Sequence, residues 1–436
     1  MRVLVVGSGG REHALAWKLA QSPAVTEIFA APGNAGLARL GSCVPIDPSG
    51  VVELADFAES VHVDLTVVGP ELPLTLGIAD EFAKRGLRLF GPSRAAAELE
   101  GSKVFSKRFM RTHGIPTADF WIVGNRADGE ALIESGEAGW PVVIKADGLA
   151  AGKGVVIAQD RAEASEALVQ MFDARVFGRA AEQVLLERCL VGTEISFHVL
   201  TDGEHAIPLA SAQDYKRALD GGEGPNTGGM GTVSPSPMLT KEMQAHILKS
   251  IVLPTIHGMR DTGRTYKGVL YIGLMMTEDG PFVLEYNCRL GDPETQVILT
   301  RLESDLLPLL EGVVDGRLLD VHPRWAHAAA VCVVMAARGY PAKPEAGHAI
   351  AGLEDAAALG DVHVFHSGTS LEDGTVKSSG GRVVSVTATA PSLSGARLLA
   401  YKGVGMIAFD GAQFRRDIGA DVLEFLAQRA KQEGPA

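Results

Sequence analysis

From residue 1 to about 92 the apolar positions follow two alternating rhythms. Short β-rich runs at 3–6, 27–30, 65–68 and 87–90 are separated by stretches near 11–21, 51–61 and 76–85 in which apolar residues recur at helical spacing. Runs this short and this apolar suit strands buried on both faces, and strand–helix alternation predicts a parallel sheet with helices on each side. Such sheets bind ligands beyond the C-terminal strand ends. Three of those ends carry Gly7-Ser8-Gly9-Gly10, Pro32-Gly33-Asn34-Ala35-Gly36 and Gly69-Pro70-Glu71.

Residues 93–114 read as mostly helical, with Lys103, Lys107 and Arg108 forming a solvated basic face. A compact unit follows at about 120–190, with strands predicted at 141–145, 155–158 and 183–186 and a helix near 162–172. The first two strands flank a glycine loop, Ala146-Asp147-Gly148-Leu149-Ala150-Ala151-Gly152-Lys153-Gly154. Residues 194–320 have a β-rich texture, and the run at 281–284 leads into Glu285-Tyr286-Asn287-Cys288-Arg289-Leu290-Gly291-Asp292-Pro293-Glu294. A strand's period of two sets Glu285, Asn287 and Arg289 on one face and Tyr286 and Cys288 on the other. From about 327 onward, β-rich runs at 331–335, 362–365 and 382–387 precede closing helices, and residues 431–436 are expected to fray. The expected organisation is an α/β multidomain chain: a parallel α/β domain over 1–102, a second domain over 103–326 with a small subdomain at about 120–190, and an α+β domain over 327–436.

Composition narrows the function classes. With 436 residues the chain holds several cores. Its 40 Lys plus Arg against 53 Asp plus Glu leave a net charge of -13, which disfavours nucleic acid and anionic membranes. No apolar stretch approaches the roughly 20 residues a membrane span needs. Cys43, Cys189, Cys288 and Cys332 lie far apart without metal-ligand spacing, so they read as buried thiols of a cytoplasmic protein. Glycine, at 51 residues, is abundant and gathers in short loops, as close approach of backbone to ligand requires.

The first glycine loop is not a dinucleotide fingerprint, because Glu12 stands where a third glycine belongs and the second strand ends without a ribose-binding acid. That argues against a nicotinamide oxidoreductase. What remains is a glycine turn entering a helix N-terminus, suited to a phosphate or serving as a plain tight turn. The loop at 146–154 is not a Walker A motif, since Gly154 follows Lys153 where Ser or Thr is required. A strand, glycine loop and strand with a lysine on each side is nevertheless suited to closing over a triphosphate. Glu285 and Asn287 offer hard oxygen donors to a divalent cation, and Arg289 offers a fork for an anion or a salt bridge to Asp292 or Glu294.

Taken in order, Gly9-Gly10-Arg11-Glu12-His13-Ala14, the 32–36 loop, Gly101-Ser102-Lys103, the block at 145–154, Gln213-Asp214-Tyr215-Lys216-Arg217, the block at 225–231 and the block at 285–294 resemble the phosphoribosylamine-glycine ligase family, the glycinamide ribonucleotide synthetases. The resemblance runs over residues 1 to about 425 and implies an ATP-grasp core with a lid subdomain. It implies a purine-biosynthesis step in which ATP, glycine and 5-phosphoribosylamine give glycinamide ribonucleotide, ADP and phosphate through a glycyl phosphate. Implied roles follow residue by residue. Lys103 and Lys145 would contact ATP phosphates under a lid containing Gly152, Lys153 and Gly154. Glu187, Cys189 and Leu190 would line the adenine hinge, with Glu194 on the ribose. Glu285 and Asn287 would bind Mg²⁺ or Mn²⁺. Arg289 would hold the glycine carboxylate and acyl phosphate, with Asp214 at the amino end and Lys216 beside it, and Gly9, Gly10, Asn34 and Glu71 would hold phosphoribosylamine. Tyr215, Thr232-Val233 and Leu72 depart from the family's usual residues. Other readings are a different ATP-grasp carboxylate–amine ligase or a non-catalytic nucleotide-binding relative.

Overall fold

The computed structural model describes residues 1–148, 154–174 and 182–433. Gly152 and Lys153 of the expected lid, and 434–436 of the expected frayed end, lie outside the described residues. Residues 431–433, also expected to fray, continue the last helix, Ala420–Glu433.

The first sheet is wholly parallel, in the order Ser42–Cys43, Glu27–Pro32, Arg2–Gly7, Leu65–Val68, Leu89–Phe90. Its central strand shows why the pattern works. Val3 and Val5 point into one core with Leu15 and Leu19 of the helix Gly10–Leu19, whereas Leu4 and Val6 point into another with Leu54, Ile78 and Phe82. Each of these four strand side chains is fully buried, contributing about 1.5–3 kcal/mol before entropy is counted. Register aligns Gly7 with Pro32 and Val6 with Val68, so the three glycine-bearing loops leave the sheet side by side. The helix expected near 76–85 is two helices, Glu71–Leu76 and Ile78–Lys84, parted at Gly77, whose φ of 96° suits glycine. Glu71 therefore opens a helix directly beyond a strand end.

Two antiparallel sheets form the middle of the chain. One runs Ala206–Pro208, Thr193–Thr201, Gly268–Thr277, Gly280–Asn287. The smaller runs Phe120–Val123, Val184–Arg188, Val142–Ala146, Val155–Ala158. The β-rich reading of 194–320 holds only in part. Helices Lys241–Ile247, Leu253–Asp261, Glu294–Arg301 and Leu307–Val314 also lie there, the first capped by the Thr240 side chain.

The last large sheet runs Gln213–Asp214, Gly231–Ser234, Ala329–Ala336, Arg382–Ala390, Val362–His366. Two of its strands come from well before residue 327, so this sheet crosses the line drawn at 326/327. Ser234 pairs with Ala330 and Gln213 with Val233.

Candidate active site

Glu12 explains the glycines of the first loop. Its carboxylate accepts the Gly9 N–H as a helix cap and pairs with Arg11 Nε at 2.6 Å. A Cβ at Gly7 would lie 2.6 Å from Glu12, and one at Gly69 closer still, so two strand ends are glycine to admit this side chain. The same helix N-terminus faces Asp292, whose carboxylate lies 3.3 Å from the Arg382 guanidinium. Burial raises the carboxyl of Asp292, and Arg382 and Arg11 outweigh it and hold it low. Asn34 is bonded on every side: its amide donates to Ser8 O and His366 O, both at 2.8 Å, and its oxygen accepts Gly36 and Leu37 N–H at 2.9 Å. Asn34 thus fastens two loops of the first sheet to the segment 366–369, whose Ser367 Oγ would lie 2.8 Å from a Cβ on Gly10.

The basic face expected at 103–108 is solvated only at Arg108. Lys107 is 2 % exposed, and its ammonium sits 2.8 Å from Glu187 and donates to Thr117 Oγ1 at 2.7 Å. Lys145 approaches the same Glu187 oxygen at 3.0 Å. A buried charge needs such pairing, and the partner lies on a strand some eighty residues away, invisible to a local charge pattern. Glu187 thus faces two lysines through its side chain, and its other oxygen, Oε1, is buried without a partner. Lys103 donates to Gly148 O at 2.7 Å at the mouth of the glycine loop. Asp147 holds this arrangement together by accepting Val104 N–H at 3.0 Å and the Ser102 hydroxyl at 3.1 Å. Burial lowers the Lys103 ammonium from its ordinary range. Gly154, on the far side of the loop, is buried.

Strand Gly280–Asn287 delivers the remaining groups. Tyr286 and Cys288 are buried, while Glu285, Asn287 and Arg289 are half-buried on the opposite face, as period two predicts. Glu285 lies opposite Gly273 and Asn287 opposite Tyr271 on the neighbouring strand. Lys216 bridges Glu194, in a short contact, and Glu285 at 3.7 Å. Desolvation pushes the Glu285 carboxyl up, but Lys216, Lys145 and Lys103 outweigh it and hold it low. Arg289 bonds neither Asp292 nor Glu294, the partners of the alternative salt-bridge reading. Its Nε reaches Glu71 and its Nη2 reaches Glu100, each at 3.1 Å. Asp214 is half-buried, with its Oδ1 buried and unpartnered, and desolvation, then the neighbouring Glu294 carboxylate, pushes its pKa well up.

Unpartnered buried oxygens on Glu187 and Asp214 mark places where a ligand's donors would be welcome. Among the described residues no three His, Cys, Asp or Glu side chains cluster as metal ligands. The hard donors Glu285 and Asn287 still fit a cation that takes its other ligands from phosphate and water. Lys107, Glu100, Asp292 and segment 366–369 escaped the sequence reading. A buried-lysine reading of the 104–110 helix, where Lys107 lies between buried Val104, Ser106, Phe109 and Met110, was the available signal. The thiols are also more varied than expected: Cys288 and Cys332 are buried, Cys189 is half-buried just after strand Val184–Arg188, and Cys43 is exposed.

Family models match in sequence order: phosphoribosylglycinamide synthetase N domain over 1–100, its ATP-grasp (A) domain over 101–295 and its C domain over 330–421. A phosphoribosylamine–glycine ligase of Ralstonia nicotianae is 50 % identical, covering 96 % of this chain and 99 % of its own. The trifunctional purine biosynthetic protein adenosine-3 of Gallus gallus is 48 % identical over 98 % of this chain and 43 % of its own. Among solved structures, the phosphoribosylamine–glycine ligase of Thermotoga maritima superposes with a TM-score of 0.81 at 34 % identity, covering 96 % of this chain and all (100 %) of its own. A biotin carboxylase of Campylobacter jejuni shares the fold at a TM-score of 0.71 and 13 % identity, over 95 % of this chain and 92 % of its own.

Proposed function

Because the chain belongs to the phosphoribosylglycinamide synthetase family and is an ATP-dependent carbon–nitrogen ligase of purine biosynthesis, we propose how its own residues join glycine to 5-phosphoribosylamine. The observation that carries this reading is the exit of strand Gly280–Asn287, where Glu285, Asn287 and Arg289 gather near the loop lysines while Arg289 reaches Glu71 at the start of the helix beyond strand Leu65–Val68. One strand end thereby meets both the nucleotide groups and the loops of the N-terminal domain.

Glycine's carboxylate is a poor electrophile, so it first accepts the γ-phosphoryl group to become glycyl phosphate, and the amine of phosphoribosylamine then displaces phosphate. Lys103 and Lys145 neutralise and orient the ATP phosphates, as phosphoryl transfer by positioning requires. Lys145 has Glu187 as its resting counterion. Cys189, Leu190 and the Glu187 backbone form the adenine edge, Glu194 takes the ribose, and Gly152, Lys153 and Gly154 cover the phosphates. Glu285 and Asn287 hold Mg²⁺ or Mn²⁺, which when bound offsets charge on the transferring phosphoryl group. Arg289 grips the glycine carboxylate and then the acyl phosphate. Asp214, with Lys216, meets the glycine amino end. Glu71, Gly9 and Gly10 hold phosphoribosylamine, and Asn34 shapes that pocket through the loops it fastens. A cytoplasmic setting suits these substrates, and no described helix is long and apolar enough to cross a membrane.

ADP release measured with glycine, with and without phosphoribosylamine, tests the reading. Full turnover should need ATP, glycine, phosphoribosylamine and the divalent cation together. ADP formation indifferent to glycine would refute it.

A further inference from the structure

One buried carboxylate stands behind the strand exit and is assigned no part in the reaction. Glu100 is the penultimate residue of the helix Arg94–Gly101, which leads into Ser102 and Lys103. It is 9 % exposed, and each of its oxygens has a separate task. Oε2 accepts the backbone N–H of Cys288 at 2.6 Å, and Oε1 accepts Arg289 Nη2 at 3.1 Å. Cys288 lies between Asn287 and Arg289, so one rigid group holds the backbone just after the cation-binding residue and the side chain of the anion-binding residue.

The remaining donors of Arg289 make this significant. Nε is engaged by Glu71 at 3.1 Å and Nη1 by Leu290 O at 3.3 Å. Glu71 is also a candidate for phosphoribosylamine, so its hold on Arg289 has a competitor. Glu100 has none: it faces the buried Cys288 and the guanidinium, and its carboxyl stays above the ordinary carboxylate range because burial outweighs the pull of Arg289 and the nearby Glu71 adds to it. A planar fork fixed on two edges leaves its free N–H groups one direction in which to present themselves.

We propose that Glu100 is a positioning residue for ligation, holding Arg289 and the Cys288 backbone so that the guanidinium meets the carboxylate of glycine in a fixed orientation. The proposal rests on the reading of Arg289 as the glycine-carboxylate group. Glu100 bonds neither Lys103 nor Lys145 and is the weakest of the charges acting on Lys103, so the loss on removing its charge should fall chiefly on glycine.

Steady-state kinetics of E100Q, E100D and R289K would test this, with thermal melts to establish folding. Gln keeps the shape but must turn its NH₂ toward either the Cys288 N–H or the guanidinium. E100Q should raise the glycine KM at least about tenfold, which is roughly 1.4 kcal/mol, with ATP KM within about twofold of wild type. E100D, retaining charge at a shorter reach, should lie between. R289K should raise glycine KM further, and adding E100Q to R289K should cost little more. A folded E100Q with unchanged glycine KM, while R289K raises it, would overturn the role of Glu100 alone. An unchanged glycine KM in both would overturn the reading of Arg289 as well. Equal rises in ATP and glycine KM would make Glu100 a general structural group and also overturn the proposal. Should E100Q not fold, E100D carries the same comparisons.

Discussion

The helix Gly10–Leu19 and the strand Val362–His366 meet through two imidazoles, which yields a stability prediction with a definite sign. His13 Nδ1 accepts the His366 backbone N–H at 2.8 Å, so the His13 ring is neutral with its proton on Nε2. The rings lie 5.5 Å apart, and a Cβ at Gly36 would collide with His13, so water has no room to solvate a charge. Burial, then the neighbouring His366 and Arg39, takes the His13 pKa down to about 3. Burial, then Arg39, takes His366 down to about 4. Both folded values lie below the unfolded 6.5, so the unfolded chain binds more protons as pH falls. The stability these rings contribute is complete above pH 6.5 and is lost on acidification. At pH 5 each has lost about 1.5 pH units' worth, about 2 kcal/mol, or about 4 kcal/mol together. That is a large share of the roughly 5–15 kcal/mol typical of a folded domain. The perturbation is H13N, because the Asn oxygen can accept the same N–H and does not titrate. Urea unfolding followed by circular dichroism at pH 7.5, 6 and 5 is the assay. H13N should begin slightly less stable, because the smaller side chain leaves space beside Gly36, and should then lose about 2 kcal/mol less than wild type by pH 5. Parallel decline of the two proteins would refute the assignment of a buried neutral His13.

Three further outcomes follow from the site. E285A should lower kcat by about 10²-fold or more at moderate Mg²⁺ with an unchanged melting temperature, since preorganised charge stabilisation is lost; near-normal turnover would remove Glu285 from the cation site. G10A places a methyl 2.6 Å from Gln296 Nε2 and 2.8 Å from Ser367 Oγ, side-chain ends that can shift, so the fold should survive while the phosphoribosylamine KM rises far more than that for ATP; a folded variant with an unchanged phosphoribosylamine KM would move the phosphate elsewhere. Burial takes Lys107 down to about 8, below its unfolded 10.5, so the stability tied to its titration grows as pH rises through that window. Urea midpoints should show wild type gaining on K107M by about 1.6 kcal/mol between pH 8 and 9.5, whereas a constant gap would contradict a depressed Lys107.

What could be read from the chain was what is local. Strand ends and glycine loops were legible because period and turn chemistry are short-range, and Glu285, Asn287 and Arg289 were correctly set on one face by counting in twos. Partners were not legible. Lys107 looked like a surface lysine until Glu187 arrived from a distant strand, and the only salt bridge the sequence offered Arg289 was to the nearest acids, while Glu71 and Glu100 reach it from far upstream. Asn34 was visible as a site residue, but its commitment to Ser8 and His366 depends on a segment more than three hundred residues later. The helix Glu294–Arg301 was hidden differently: Glu294, Thr295 and Gln296 are all buried, so the polar face that normally advertises a helix is absent.

The sheet shared between Gly231–Ser234 and Ala329–Ala336 has a consequence for how the protein is made. Synthesis runs from the N-terminus, so strand Gly231–Ser234, with Gln213–Asp214 already beside it, leaves the ribosome about 95 residues before Ala329–Ala336, the partner on its other edge. At about 5–20 residues per second that interval is roughly 5–20 s. Throughout it, Val233, fully buried at 0 % exposure in the finished protein, has no core to enter, and the strand presents an open edge. Asp214 and Lys216, proposed to meet the glycine amino end, therefore gain their full sheet late, and a nascent chain stalled before residue 329 would be both inactive and prone to pairing with a neighbour.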